Sequence, residues 1–188
     1  MATQVDPEVV RRRFTADDLL RMGEAGILGE RERVELIDGE IVELSPIGEP
    51  HARCVDRLAA FLIRRLSDEV MVRVQGPVRL SDITEALPDL AVIVEDRDTM
   101  ARPWPVHTPL VIEVAVTSLA YDRNVKAPLY ARHGHAEVWI VDVTGALVER
   151  YSEPAEARYR RVDRFRRGEV VESVAVAGLS VSVDEMLG

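Results

Sequence analysis

A chain of 188 residues, 47% of them hydrophobic, is long enough for one domain with a substantial core. No apolar run approaches the ~20 residues that span a bilayer, and the opening MATQVDPEVVRRRF lacks the apolar segment of a secretory signal, so the expectation is a soluble, cytoplasmic protein with no membrane partner. A net charge of −9 counts against a simple nucleic-acid coat but less against a metal-dependent nuclease, whose site needs carboxylates, and the lone Cys54 excludes an intrachain disulfide framework or multi-cysteine zinc site.

Residues 1–14 read as a loose arm with Arg11, Arg12 and Arg13 in solvent. Thr15 opens a helix with Asp17 and Asp18 in its first turn and Leu19, Leu20 and Met22 on its apolar side; Gly26 and Gly29 end it. In RVELIDGEIVEL, Asp38-Gly39 predicts a two-residue hairpin that pairs Ile37 with Glu40 and Glu35 with Val42. Acidic and apolar residues then share a face. A solvent-edge hairpin explains this most simply, and an acidic contribution to a site from Glu35 or Glu40 is the sharper alternative. Pro50 suits the first turn of a helix running to about Ser67, with Val55, Leu58, Ala59, Leu62 and Leu66 at helical spacing. His51 in its first turn is a surface or capping group, or a catalyst.

Residues 70–80 read as strand, turn at Gly76-Pro77, and strand, with SDITEAL as the following loop. LAVIV is a buried strand covered on both faces. A polar, proline-rich loop over 95–108 carries Trp104, which packs onto its own domain or contacts substrate or a subunit. Leu110 to Val116 is a second buried strand and 136–143 a third. Between them a helix runs from Asp122 to His133, and Pro128 makes it start late or kink. Gly134 stops it. Arg158, Arg160, Arg161, Arg164, Arg166 and Arg167 mark either a charged sheet edge or a phosphate-tracking surface. GLSVSVDEML closes the chain as a short strand and a helical turn.

Glu113 is the most informative residue. Leu110, Val111, Ile112, Val114 and Ala115 around it want burial, and a charge there is costly unless it is paired, protonated or bound to a metal. Asp89 and Glu113 on adjacent strands could hold a hard divalent ion, with Lys126 orienting a water or offsetting phosphate charge. The bland alternative is a structural ion pair between Glu113 and Lys126 or an arginine, with Asp89 capping its strand. Lys126 stands four residues from both Asp122 and Tyr130; a surface ion pair is the simple reading of the first spacing. No glycine-rich phosphate cradle, nucleophile elbow or spaced zinc motif occurs, and His51, His107, His133 and His135 form no ligand set.

The succession VELIDGEIVELSP, His51 opening a helix, VQGPVRLSD, PDLAVIV, VIEVAVTSLAYDRNVKAPLYARHG, AEVWIVDV and GLSVSVDEML resembles the Uma family of putative restriction endonucleases, within the PD-(D/E)XK nuclease superfamily. The resemblance covers residues 15–188 and implies a single restriction-endonuclease-like α/β domain. Its mixed β-sheet core would be flanked by helices, with an N-terminal hairpin and additional C-terminal strands. It implies that Asp89 and Glu113 are metal ligands for Mg²⁺ or Mn²⁺. The superfamily lysine would stand two residues after Glu113, where this chain has Ala115; the resemblance implies that Lys126 replaces it. Glu35, His51 and Gln75 match positions bordering the site, and Tyr130 would position Lys126. Relatives often carry a polar residue where Val116 stands. The implied activity is metal-dependent hydrolysis of phosphodiester bonds in DNA by a homodimer. The alternative is a nucleic-acid-binding or assembly module that keeps the fold without strong catalysis.

Overall fold

The computed structural model describes residues 10–29, 32–67, 70–94 and 108–188. Trp104 and His107 lie outside the described residues. In chain order the elements begin with α1 (Ala16–Glu24), β1 (Val34–Ile37), β2 (Glu40–Glu43), α2 (Glu49–Arg65), β3 (Val70–Val74), β4 (Val78–Ser81), β5 (Thr84–Ala86), β6 (Leu90–Val94) and β7 (Leu110–Ala115). A helical stretch follows in three parts: α3 (Leu119–Tyr121), a π turn over Asp122–Lys126, and α4 (Ala127–Arg132). The chain closes with β8 (Glu137–Asp142), β9 (Leu147–Ala155), β10 (Arg158–Arg166), β11 (Val170–Glu172), β12 (Ser180–Ser182) and α5 (Val183–Leu187). The class is mixed α/β, as expected. No helix among the described residues is long and apolar enough to cross a membrane. The chain divides into two compact units: residues up to Ser45 with Arg79–Ala86, and Pro46–Val78 with Leu87–Gly188.

In the first unit, α1 starts where its N-terminal signal places it. Thr15 Oγ1 accepts the Asp18 N–H at 3.1 Å, and the Asp18 carboxylate accepts the Thr15 N–H at 3.0 Å, a reciprocal capping box. Leu19 is buried but Leu20 is exposed, so the apolar side is narrower than expected. The hairpin forms at Asp38-Gly39 in the predicted register. Both turn residues have positive φ, 50° and 82°, which suits the twist of a tight hairpin. A Cβ on Gly39 would collide with the Arg13 side chain.

The solvent-edge reading of this hairpin is corrected. Residues 81–87, expected as a loop, contain β5, which pairs antiparallel with β1. The sheet order is β2-β1-β5-β4, so β1 is an inner strand and only β2 of the hairpin lies at an edge. Glu35 and Leu36 are both fully buried. Three residues are too few to display a period of two, which hid β5.

The second unit holds a six-stranded sheet of order β10-β9-β8-β7-β6-β3. Only β7 and β8 run parallel, and the helical stretch is their crossover. Val55, Leu58 and Leu62 of α2 pack with Leu90, Val92, Leu110, Ile112 and Val114 on one sheet face. Alternation then turns Ala91, Val111 and Glu113 to the opposite face. Pro128 lies at the start of α4, and the expected late start is corrected: the helical stretch begins at Leu119, ahead of the expected Asp122, and meets the proline through a π turn. There the Ala127 N–H reaches back five residues to the Asp122 carbonyl, and the wider turn takes the proline ring without a clash. Gly134, at φ 77°, ends the helix, as expected. The arginine-rich β10 forms one edge of the sheet, where charge discourages further pairing.

Candidate active site

The register across the sheet brings the two candidate acids together. Leu90 pairs with Ile112 and Ala91 with Val111, so one further step in the same antiparallel register sets Asp89 opposite Glu113. On its other side Leu90 pairs with Val74, which sets Gln75 opposite Asp89, and the Gln75 N–H donates to the Asp89 carbonyl at 2.9 Å. Gln75, Asp89 and Glu113 thus form one row at the end of three neighbouring strands. Gln75 takes a positive φ of 47° as the chain leaves β3.

Glu113 is gripped from the crossover helix. The Lys126 ammonium donates to its Oε2 at 3.0 Å, and the Tyr130 hydroxyl donates to Oε1 at 2.7 Å. The four-residue spacing puts both donors on one helix face. Lys126 also reaches the Leu87 carbonyl, at 3.5 Å. Lys126 and Asp122 are buried, so the simple surface-pair reading of their spacing is corrected. The Asp122 carboxylate accepts the Ser118 hydroxyl at 2.7 Å.

Asp89 has a different set of partners. His51 Nε2 donates to its Oδ1 at 2.8 Å, and the Gln75 side-chain amide stands 3.5 Å from the same oxygen. The Val114 N–H donates to Oδ2 at 2.8 Å, tying Asp89 to the residue next to Glu113. Burial alone would push the Asp89 pKa up. The hydrogen bond and charge of His51, the Val114 N–H and the charge of Lys126 together outweigh it and hold the carboxyl below its ordinary value. Asp89 therefore stays ionised although it is only 5% exposed.

His51 is thus no mere surface or capping group, because α2 delivers it to Asp89 across 38 positions of sequence. Glu35 is placed in the first unit, buried on the inner strand β1. His133 and His135 lie half-buried at the end of α4, and His135 Nδ1 meets the Thr108 carbonyl at 3.1 Å. Burial pushes the Cys54 thiol up to about 11, which removes it as a nucleophile. Two groups escaped the sequence reading. The Val114 N–H carries no side-chain signal at all, and the bond from Tyr130 to Glu113 appears only once the spacing Lys126–Tyr130 is laid over the strand that carries Glu113. The arginine-rich edge is partly consumed by ion pairs. Arg123 and Arg164 hold the buried Glu149 at 2.7–3.0 Å, while Arg150 and Arg161 hold Asp163 at 2.7 and 2.8 Å.

Asp89 and Glu113 are hard-oxygen donors of the type that Mg²⁺ and Mn²⁺ take. Mg²⁺ in particular is commonly held by one or two carboxylates, with water and phosphate oxygens completing its shell. Lys126 already seats a positive charge against Glu113. On this donor chemistry the residues fit such an ion. Among the described residues no group of three or more His, Cys, Asp or Glu is arranged to hold a metal alone, so water or substrate oxygens would supply the remaining positions.

The model of a family described as "Putative restriction endonuclease" (Uma2) matches residues 16–184. None of the curated proteins compared with the chain matches it. Among solved structures, the chain is similar to a crystal structure described as a putative nuclease belonging to DUF820, from Anabaena variabilis ATCC 29413. The TM-score is 0.74 at 15% sequence identity, over 93% of this chain and 97% of that one, which supports the fold. With its matched span taking in Asp89, Glu113, Lys126 and Tyr130, the chain belongs to the Uma2 family of putative restriction endonucleases.

Proposed function

We propose that this chain is a Mg²⁺- or Mn²⁺-dependent endonuclease that hydrolyses phosphodiester bonds in DNA. The observation that carries the reading is the row that sets Asp89 opposite Glu113, with Lys126 reaching across to Glu113 and the Leu87 carbonyl. A bound ion would neutralise phosphate charge and lower the pKa of an attacking water. Asp89 and Glu113 would hold it. Lys126 would orient the water and offset charge building on the phosphate. His51 would keep Asp89 ionised and aimed. With a net charge of −9, attraction to DNA has to come from local basic groups such as the exposed Arg158, Arg160 and Arg166 of β10. The homodimer implied by the family resemblance and the cytoplasmic location expected from the sequence belong to the same proposal, and sedimentation of the purified protein tests the former.

A second reading, the non-catalytic nucleic-acid-binding or assembly module, is favoured by one observation. Asp89 and Glu113 are each compensated by side chains of this unit without an ion. Supercoiled plasmid incubated with Mn²⁺ or Mg²⁺ separates the two. Endonuclease action predicts nicking that a chelator stops and that Asp89→Ala or Lys126→Ala lowers by about 100-fold or more. Cleavage that survives both substitutions, or none by the wild type, supports the second reading.

A further inference from the structure

Glu113 is held at its two oxygens by two donors of different kind. Tyr130, fully buried, donates a neutral hydroxyl to Oε1 at 2.7 Å. Lys126 presents an ammonium to Oε2 at 3.0 Å. An incoming cation acts on them in opposite ways. It repels the ammonium from Oε2. It leaves the hydroxyl in place, because the O–H dipole stays attracted to a carboxylate oxygen on the side away from the ion. The Tyr130 ring is also fixed: it meets the His135 ring edge-on, with centroids 5.5 Å apart.

Resting on the metal-dependent reading above, we infer that Tyr130 is a positioning residue that holds Oε1 of Glu113, would favour one-oxygen over two-oxygen binding by that carboxylate, and so biases the site against Ca²⁺. Ca²⁺ takes about six to eight oxygens and readily accepts both oxygens of one carboxylate, whereas Mg²⁺ demands near-octahedral geometry with single-oxygen carboxylate ligands and retained water. The phenol draws charge from Oε1 and fixes the plane of the carboxylate, which disfavours the two-oxygen bite relative to binding through Oε2 alone. Lys126, the cation that sits on Oε2, is the group an ion exchanges with.

Calorimetric titration with Mn²⁺ and with Ca²⁺, on the wild type and on Tyr130→Phe and without nucleic acid, tests this. The expected result is that the preference for Mn²⁺ over Ca²⁺ shrinks in Tyr130→Phe by about tenfold, the scale on which outer-shell partners tune metal sites. Mn²⁺ binding with an unchanged ratio in Tyr130→Phe overturns the inference and leaves the metal site standing. A wild type that binds Ca²⁺ as tightly as Mn²⁺ overturns it as well, whether or not the variant folds. No saturable Mn²⁺ binding by the wild type overturns the metal-dependent reading and this inference with it. A merely structural tyrosine would change stability and leave the ratio alone.

Discussion

Replacing Lys126 by Met keeps the apolar stem and removes the ammonium from Glu113. The side chains of Lys126 and Glu113 are 5% and 3% exposed, so the carboxylate left behind cannot rehydrate. An exposed pair would be worth about 0–1 kcal/mol, but removing one partner of a buried pair costs about 3–5 kcal/mol. The hydroxyl of Tyr130 remains on Oε1 and moderates the loss, because a hydrogen bond to a charged group contributes about 1.5–3 kcal/mol. The expected destabilisation is therefore at the lower end, about 3 kcal/mol. Urea denaturation at pH 7 without divalent ions, followed through the buried Trp139, measures it. The companion variant is Lys126→Met with Glu113→Gln, which leaves no charge stranded. It should lie closer to the wild type than Lys126→Met alone, giving a coupling energy of about 2 kcal/mol. A loss within about 0.5 kcal/mol for Lys126→Met, as at an ordinary surface position, or strictly additive effects in the pair, would refute the buried-pair reasoning.

Three further outcomes are expected. Gly39→Ala forces a Cβ into Arg13 at a φ of 82° and should lower stability by at least about 1–2 kcal/mol, the left-handed penalty alone, as read from the urea midpoint; an unchanged midpoint would contradict the turn geometry. Glu137 is fully buried and accepts from Trp139 Nε1 at 2.7 Å, Ser173 Oγ at 2.5 Å and the N–H groups of Val174 and Ala175 at 3.0 and 2.9 Å. Glu137→Ala strands these donors and should cost about 3 kcal/mol or more, with proteolysis entering first at the Ser173–Ala177 loop. Burial would raise the Glu149 pKa, yet the hydrogen bonds from Arg123, Arg164 and Tyr151 hold it below its ordinary 4.5. A depressed folded-state pKa contributes stability above the unfolded value and loses it as pH falls. The stability gap between wild type and Glu149→Gln should thus be fully open at pH 7 and narrow as pH drops below 4.5; a gap independent of pH would contradict it.

Local chemistry was readable where it is written in neighbouring residues. Asp38-Gly39 announces its hairpin because two successive positive-φ positions suit few other pairs, and Thr15 with Asp18 announces a helix start because the bonds span three residues. The buried strands around Ala91, Val111 and Ile140 show as unbroken apolar runs, and a charge at Glu113 stands out against one. What stays hidden is pairing over distance. Nothing near His51 tells of Asp89, because the contact depends on where α2 enters the sheet. β5 hides because three residues carry no period, and with it hides the inner position of Glu35. Glu137 and Glu149 pass as ordinary strand-edge acids, although each is fully buried and saturated with donors. The π turn follows from Pro128, but the sequence permits a late start, a kink or a widened turn, and packing selects among them.

The most direct measurement is a calorimetric Mn²⁺ titration of the wild type and of Glu113→Ala. The account predicts saturable binding in the wild type and its loss in Glu113→Ala, because Oε2 of that side chain is the oxygen on which a cation already sits. No binding to the wild type, with or without a DNA duplex present, would contradict it and leave Asp89, Glu113 and Lys126 as a structural charge network on a nuclease fold.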